Sequence, residues 1–384
     1  MRIAINVEQL FYRAPGGTGR YIARLVSSMA GQFSPDVVVP FSAWHGRAEV
    51  EAVFERSGLQ EAPLAPVVRL PLPRPALFDA WNAWAGPDPT MLSARLRTAD
   101  LVHNPFPAAP PVKVPLVVTV HDAGFALFPT SYPRRGLKFH VKALQRTAQR
   151  ADIVITGSQA ALDEIVANSP ITRDQVRVVA HGVDHRKATP EETATALRRH
   201  RLDDAPYVLW VGSLEPRKNI GALVKAFVRL VGANELPHRL VLVGPLGWLH
   251  QGLITDQERT FLGDRLRSLG TVSEGDLRAL YAGASLFAFP SVHEGFGLPV
   301  LEAMVQGAPV VCSDIASLAE VAGGAAVLVP PSDVEGWARA IAEVAGDAGR
   351  REAMVAAGQQ WAARFSWDRT ARETHAIYRE LVGP

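Results

Sequence analysis

Pro290-Ser291-Val292-His293-Glu294-Gly295-Phe296-Gly297-Leu298-Pro299-Val300-Leu301-Glu302-Ala303-Met304 is the stretch on which the reading of this chain turns. The apolar run before it, Ser285-Leu286-Phe287-Ala288-Phe289, predicts a buried strand. That strand empties into a loop with two glycines before Pro299 opens a helix that Gly307 closes. The loop therefore lies at a helix N-terminus, where unpaired amides point at an anion, and Gly295 and Gly297 let backbone approach a ligand without a Cβ in the way. A phosphate or sugar hydroxyls suit that place. Glu294 in the loop and Glu302, expected in the first helical turn, bring two carboxylates to one pocket, where they would accept hydrogen bonds from sugar hydroxyls. On physics alone an ordinary turn, with an early-helix glutamate favoured by the helix dipole, explains the same residues equally well.

Working outward, 384 residues are enough for two domains, each burying its own core. With 48% hydrophobic residues, no apolar run of membrane-spanning length and no signal-peptide pattern, the expectation is a soluble cytoplasmic protein. A net charge of +2 argues against a uniform nucleic-acid-binding surface. Cys312 is the single cysteine, so neither an intramolecular disulfide nor a cysteine metal cluster is available, and its apolar strand predicts a buried thiol.

Upstream, residues 1–7 read as a first strand and Ala14-Pro15-Gly16-Gly17-Thr18-Gly19-Arg20 as a glycine loop before a helix. Ile22 stands where a dinucleotide fingerprint needs its third glycine, so a nicotinamide site is poorly supported. Further strand-like runs at 36–40, 101–103, 116–120, 152–155 and 176–179 alternate with helical stretches, which predicts a parallel sheet wrapped by helices. Phe78, Trp81 and Trp84 recur at helical spacing, a core-facing stripe by the favoured reading and an acceptor- or lipid-facing surface by the alternative. Val120-His121-Asp122 follows an apolar strand directly, where open α/β sheets place ligand-binding groups. His121 can hydrogen-bond and titrate near neutral pH, while Asp122 either orients it or, the favoured reading, caps the next turn. Residues 132–146 place cations at 134, 135, 138, 142 and 146 and turn Leu137, Val141 and Leu144 to the core. That is a solvated face, or alternatively a surface docking on anionic lipid or a pyrophosphate-linked acceptor.

A polar stretch at 185–206 separates the halves, and strands resume at Tyr207-Val208-Leu209-Trp210-Val211. Gly212-Ser213-Leu214-Glu215-Pro216-Arg217-Lys218-Asn219 comes next, before a helical pattern. Two cations at a helix start oppose the dipole, and a bound anion would explain them: Arg217 forks onto phosphate oxygens and Lys218 acts as a point charge. Later strands are expected at 239–244 and 325–329, a turn at 269–273, and a terminal helix from Ser366 with Trp367, Ala371, Ile377, Tyr378 and Leu381 available for packing.

His293-Glu294-Gly295-Phe296-Gly297-Leu298-Pro299 with Glu302, followed by Gly307-Ala308-Pro309-Val310-Val311, resembles the carboxylate signature of retaining nucleotide-sugar glycosyltransferases of family four, which have the GT-B fold. Residues 212–219 resemble the diphosphate motif of that family, and Val120-His121-Asp122 its active-site histidine segment. Ala180-His181-Gly182-Val183-Asp184 resembles its Asn-Gly-Val-Asp turn with His181 in place of asparagine, a departure read as structural. The resemblance implies two Rossmann-like domains facing across a cleft: 1–186 on the acceptor side, joined by the returning helix 366–384, and 187–365 holding the nucleotide sugar. It implies that His121, Arg217, Lys218 and Glu294 surround the reacting centre. Gly16, Gly17, Gly212, Ser213, Gly295, Phe296, Gly297 and Leu298 would bind the donor, Val272 would meet the nucleobase through its backbone, and Glu302 would hold the ribose.

The chain has no Asp-x-Asp triplet, so neither metal nor cofactor is expected, the paired cations neutralising the leaving diphosphate. The motifs together most resemble bacterial mannosyltransferases that build surface or lipopolysaccharide glycans. GDP-mannose is then the first expected donor, a UDP-sugar the second, and a hydroxyl of a glycan or lipid-linked acceptor the target, with peripheral contact at the inner membrane surface. A nucleotide-sugar 2-epimerase and a non-catalytic nucleotide-sugar-binding protein are the rival readings. Replacing Arg217 by alanine should cut turnover far more than folding stability.

Overall fold

A computed structural model of the chain describes residues 1–13, 15–83 and 86–383. Ala14 of the glycine loop and Trp84 of the aromatic stripe lie outside the described residues. Two compact units are present, Met1–Gly182 with Phe365–Pro384, and Val183–Arg364.

In the first unit, β1 (Arg2–Asn6), β2 (Val37–Ser42), β3 (Val68–Arg69), β4 (Leu101–Asn104), β5 (Leu116–Thr119), β6 (Ile153–Thr156) and β7 (Val176–Val178) form one sheet in the order β3-β2-β1-β4-β5-β6-β7. Every pairing is parallel. Strands β4, β5 and β6 are buried at every position, which is why they read as continuous apolar runs without alternation. Phe78 and Trp81 are buried in this core. The terminal helix Trp367–Val382 packs on the helix Gly16–Gln32 and buries Trp367, Ala371, Ile377 and Tyr378.

In the second unit, β8 (Tyr207–Val211), β9 (Arg239–Val243), β10 (Leu266–Gly270), β11 (Leu286–Phe289), β12 (Val310–Ser313) and β13 (Val327–Val329) run parallel in the order β10-β9-β8-β11-β12-β13. Strand order therefore reverses between β1 and β4 in one unit and between β8 and β11 in the other, and chains leaving two such strands diverge to open a crevice at their carboxyl ends. Cys312 is fully buried in β12, and burial, with Asp314 nearby, pushes its thiol up to about 12.

The polar stretch at 185–206 contains the helix Pro190–His200, started by a reciprocal Thr189–Glu192 capping box. In the helix Arg134–Arg150, Leu144 faces the core as expected, but Val141 is 42% exposed and stands among the cations. Arg146 and Arg150 of that helix bind the backbone carbonyls of Asn82 and Trp81, so these two cations are structural. Among the described residues no helix is long and apolar enough to cross a membrane.

Candidate functional site

The segments carrying Arg217 and Glu294 leave β8 and β11, the two neighbouring strands at which the order of the second sheet reverses. Beyond β8 the chain runs close to the end of β9: the Gly212 amide donates to Val243 O at 2.9 Å, and a Cβ on Gly244 would fall 2.0 Å from Gly212 O. Arg217 and Lys218 then occupy a one-turn 3-10 helix, Pro216–Lys218, rather than the start of the following helix as predicted. Asn219 separates the two in a left-handed conformation, φ 51°, which asparagine tolerates better than most residues. Its Nδ2 fixes the turn by donating to Pro290 O (3.0 Å) and Pro331 O (2.8 Å). The Val292 amide donates to Arg217 O at 2.9 Å, so the loop after β11 is tied to the same turn.

The side chains converge as the backbone does. Arg217 donates through Nη1 to His293 O (2.8 Å) and Glu294 Oε2 (3.2 Å), and through Nη2 to Glu215 Oε1 (2.8 Å). Lys218 Nζ donates to Glu294 Oε1 at 2.5 Å and lies 5.1 Å from the Phe289 ring centroid. Glu215 is only 2% exposed. Burial pushes the Glu294 carboxyl up, but Lys218 and then Arg217 more than reverse this and hold it at about 2. Burial wins at the two neighbours: the Glu215 carboxyl is raised despite Arg217, and the Lys218 ammonium lowered despite Glu294. The result is a desolvated quartet, two cations and two carboxylates, with each charge compensated by a partner.

Next to this quartet the helix Leu298–Gln306 begins at Gly297, φ 103°. The conformation favours glycine, and a Cβ there would lie 2.4 Å from Leu318 Cδ2 and force that methyl to move. Gly295, Phe296 and Leu298 complete the approach to that helix end, with Phe296 and Leu298 each 6% exposed. Glu302 is the fifth residue of the helix, past the first turn in which it was expected, and accepts from Tyr281 Oη at 3.2 Å. Ser213 follows Gly212, and half-buried Val272 immediately precedes Ser273, which caps the helix Glu274–Gly283.

In the first unit, Gly16 (φ 63°) and Gly17 are the first two residues of the helix Gly16–Gln32, not a free loop as predicted. His121 follows β5, and burial lowers its imidazole to about 4 although Asp122 and the Pro105 carbonyl favour the charged form. Its Nε2 is buried and has no hydrogen-bond partner among the described residues. Asp122 caps the turn, accepting the Gly124 amide at 3.0 Å. Tyr21 and His181 flank His121, with ring centroids 5.2 Å and 5.5 Å away.

Behind it runs a buried chain that sequence reasoning missed: Tyr378 Oη to His103 Nδ1 (2.5 Å), His103 Nε2 to Thr119 Oγ1 (2.8 Å), and Thr119 Oγ1 to Tyr21 Oη (3.2 Å). Burial lowers His103 to about 3 and takes His181 well below its ordinary value. All three histidines therefore bind protons more weakly folded than unfolded. Their contribution to stability is complete above about pH 6.5, the unfolded value, and is lost as pH falls toward 4. We expect the urea midpoint to drop between pH 7 and pH 5. A midpoint flat across that range would refute this account of the three imidazoles.

The two units have the fold of GT-B glycosyltransferases: the solved structure of HepE from Anabaena with UDP and glucose superposes with a TM-score of 0.75 at 19% identity, over 99% of this chain and 100% of that one. WaaG, a glycosyltransferase involved in lipopolysaccharide biosynthesis, superposes with a TM-score of 0.69 at 15% identity, over the whole of both chains. Residues 15–187 match Glycosyltransferase Family 4 and residues 193–361 match Glycosyl transferases group 1. The O-antigen chain mannosyltransferase B of Escherichia coli is 30% identical over 99% of this chain and 100% of its own length. A serotype-specific mannosyltransferase, WbdA, of Escherichia coli is 34% identical over 58% of this chain and 28% of its own. This chain belongs to the family-four, group 1 glycosyltransferases.

Proposed function

We propose that the protein is a retaining hexosyltransferase that moves mannose from GDP-mannose to a hydroxyl of a glycan or lipid-linked acceptor, without a metal ion or cofactor. The observation that carries this reading is the meeting of Arg217, Lys218 and Glu294 at the carboxyl ends of β8 and β11, beside the N-terminus of the helix Leu298–Gln306. In the transfer, the acceptor oxygen bonds to the anomeric carbon as the bond from that carbon to the diphosphate oxygen breaks. The hydroxyl proton passes to the departing diphosphate, and a glycoside and GDP result.

Negative charge grows on the leaving oxygen, and Arg217, Lys218 and the amides of residues 295–298 are the groups to stabilise it. Two fixed cations supply the neutralisation that a divalent ion gives elsewhere. Glu294 binds hydroxyls of the sugar, Glu302 those of the ribose, and neutral His121 hydrogen-bonds the sugar through Nε2. Val272 meets the base, while Gly16, Gly17, Gly212 and Ser213 present backbone to the donor. Mannose is favoured by the 30% identity to an O-antigen mannosyltransferase over the full chain. A UDP-sugar is the second reading, because the fold neighbour HepE is described in complex with UDP-glucose. We place the reaction in the cytoplasm, at the inner face of the membrane.

Incubating the protein with GDP-mannose, UDP-glucose or UDP-galactose, each with and without α-mannotriose, tests the reading. GDP release that depends on mannotriose is expected. Acceptor-dependent UDP release would replace the donor, and isomerisation of the sugar without acceptor would make the protein an epimerase.

A further inference from the structure

Glu302 does not take its direction from its own helix alone. It is half-buried on the helix Leu298–Gln306, between Leu301 and Ala303, which are shut off from water entirely. Its Oε2 accepts from the hydroxyl of Tyr281, which stands in the last turn of the helix Glu274–Gly283, packed against the first. Tyr281 cannot swing away. At 1% exposure its ring meets Phe287 of β11 edge-on, with centroids 5.3 Å apart and planes at 73°. On either side of it the chain is fastened to Tyr207 of β8: the Leu280 carbonyl accepts from Tyr207 Oη at 2.6 Å, and the Ser285 amide donates to Tyr207 O at 3.0 Å. The other end of the same helix is set by Ser273, whose hydroxyl accepts from the Asp276 amide at 3.1 Å directly after Val272.

A buried phenol hydroxyl has to find a polar partner, and since an ionised carboxylate only accepts, the Tyr281 hydroxyl is the donor. That bond does more than join two helices. A glutamate side chain turns about several single bonds, and one hydrogen bond from a fixed ring settles the plane of its carboxylate before any ligand arrives. A carboxylate has about four lone-pair directions, so accepting from the phenol leaves capacity for a pair of further donors. The vicinal 2′- and 3′-hydroxyls of a ribose are such a pair, held on one face of the furanose and spaced to reach one carboxylate together.

We propose that Tyr281 is a positioning residue for the donor: it holds the Glu302 carboxylate ready to take the 2′- and 3′-hydroxyls of the nucleotide together, and by doing so makes the site select ribonucleotides over their deoxy forms. The proposal rests on the reading of Glu302 as the ribose-binding group and extends it to a side chain that touches neither nucleotide nor sugar. The helix Glu274–Gly283 thereby serves the nucleoside at both ends, with the turn at Val272 before it and the ribose carboxylate oriented from its last turn. A bond with a purely structural role would be indifferent to the hydroxyls of the ligand.

The test is calorimetric binding of GDP and 2′,3′-dideoxy-GDP to the full chain, in wild type, Tyr281→Phe, Glu302→Gln and the double variant. Wild type is expected to bind GDP more tightly than the dideoxy nucleotide by about tenfold or more. Tyr281→Phe, which keeps the ring in the core, should weaken GDP about tenfold and the dideoxy nucleotide less than about twofold, with donor KM raised to match and kcat within about threefold of wild type. Combined with Glu302→Gln it should weaken GDP by less than about a further twofold, because the two side chains act as one. Both nucleotides meet the same sample, so a variant that is merely loosened weakens both alike. Such equal weakening overturns the proposal, as does GDP affinity unchanged in Tyr281→Phe. Wild type that binds both nucleotides equally removes Glu302 from the ribose and the proposal with it, while the donor site stands. Binding of neither GDP nor UDP ends the donor reading as a whole, and this proposal too. If UDP is the nucleotide bound, the same proteins are compared with UDP and its dideoxy form, and the same outcomes decide.

Discussion

Arg217→Lys is expected to lower kcat by about 10²-fold while shifting the thermal midpoint by only a few degrees, because the substitution keeps the charge and removes the fork. The guanidinium reaches Glu215, the His293 carbonyl and Glu294 at once, with one planar group spanning all three. An ammonium at position 217 can compensate one carboxylate but cannot hold this geometry, and a departing diphosphate would lose its bidentate partner. Alanine, which the sequence alone suggested, is the poorer probe. It would leave Glu215, 2% exposed, without its countercharge, and stranding such a group costs roughly 3–5 kcal/mol. The loss of turnover would then be mixed with unfolding. Steady-state kinetics alongside calorimetric unfolding decide the matter: a lysine variant with kcat within threefold of wild type removes Arg217 from the proposed role.

The second large effect is expected at Glu294. Glu294→Gln removes the carboxylate that Lys218 and Arg217 share, leaving Lys218 beside a neutral amide and Arg217 with Glu215 alone, and should destabilise the ligand-free protein by about 3 kcal/mol at pH 7. Inorganic pyrophosphate or GDP should then raise the thermal midpoint of the variant more than that of wild type. In the variant an incoming anion meets a Lys218 without its carboxylate, whereas in wild type it competes with Glu294 for Lys218.

Acid supplies an independent check. The folded carboxyl titrates near 2 against an ordinary 4.5, so its contribution is present above 4.5 and is lost as pH falls from there toward 2. The glutamine variant has no such titration and should lose less stability over that interval. Burial of Lys218 offsets part of the gain at Glu294, so the difference between the two proteins reports the quartet as a whole. Equal ligand-free stability at pH 7, or equal shifts with pyrophosphate, would end this description.

How much of this was legible in the sequence follows from what each feature depends on. Strands buried on both faces, such as Leu116–Thr119 and Leu286–Phe289, announce themselves as short apolar runs, and their alternation with helices gave the two-unit parallel architecture. The two-residue strand Val68–Arg69 carries no pattern at all. Residue types at Arg217, Lys218 and Glu294 spoke for an anion and a sugar, but the turn that seats the cations depends on Asn219 adopting φ 51° against carbonyls at 290 and 331, which no local pattern records.

Glu215 looked like part of a motif and proved to be the buried countercharge of Arg217. Val141 had helical spacing to Leu137 and Leu144, yet which face of a helix is covered depends on its neighbours in space. The bond from His103 to Tyr378 joins residues 275 positions apart, beyond any reading by periodicity.

The helix Trp367–Val382 completes the first unit although it follows the whole of the second in sequence. As the polypeptide emerges from the ribosome, residues 183–364 have all of their own unit available, while the amino-terminal half still awaits Tyr378 for the imidazole of His103. Maturation is therefore expected out of order, with the later-born half settling first and the earlier-born half closed by the helix that follows it.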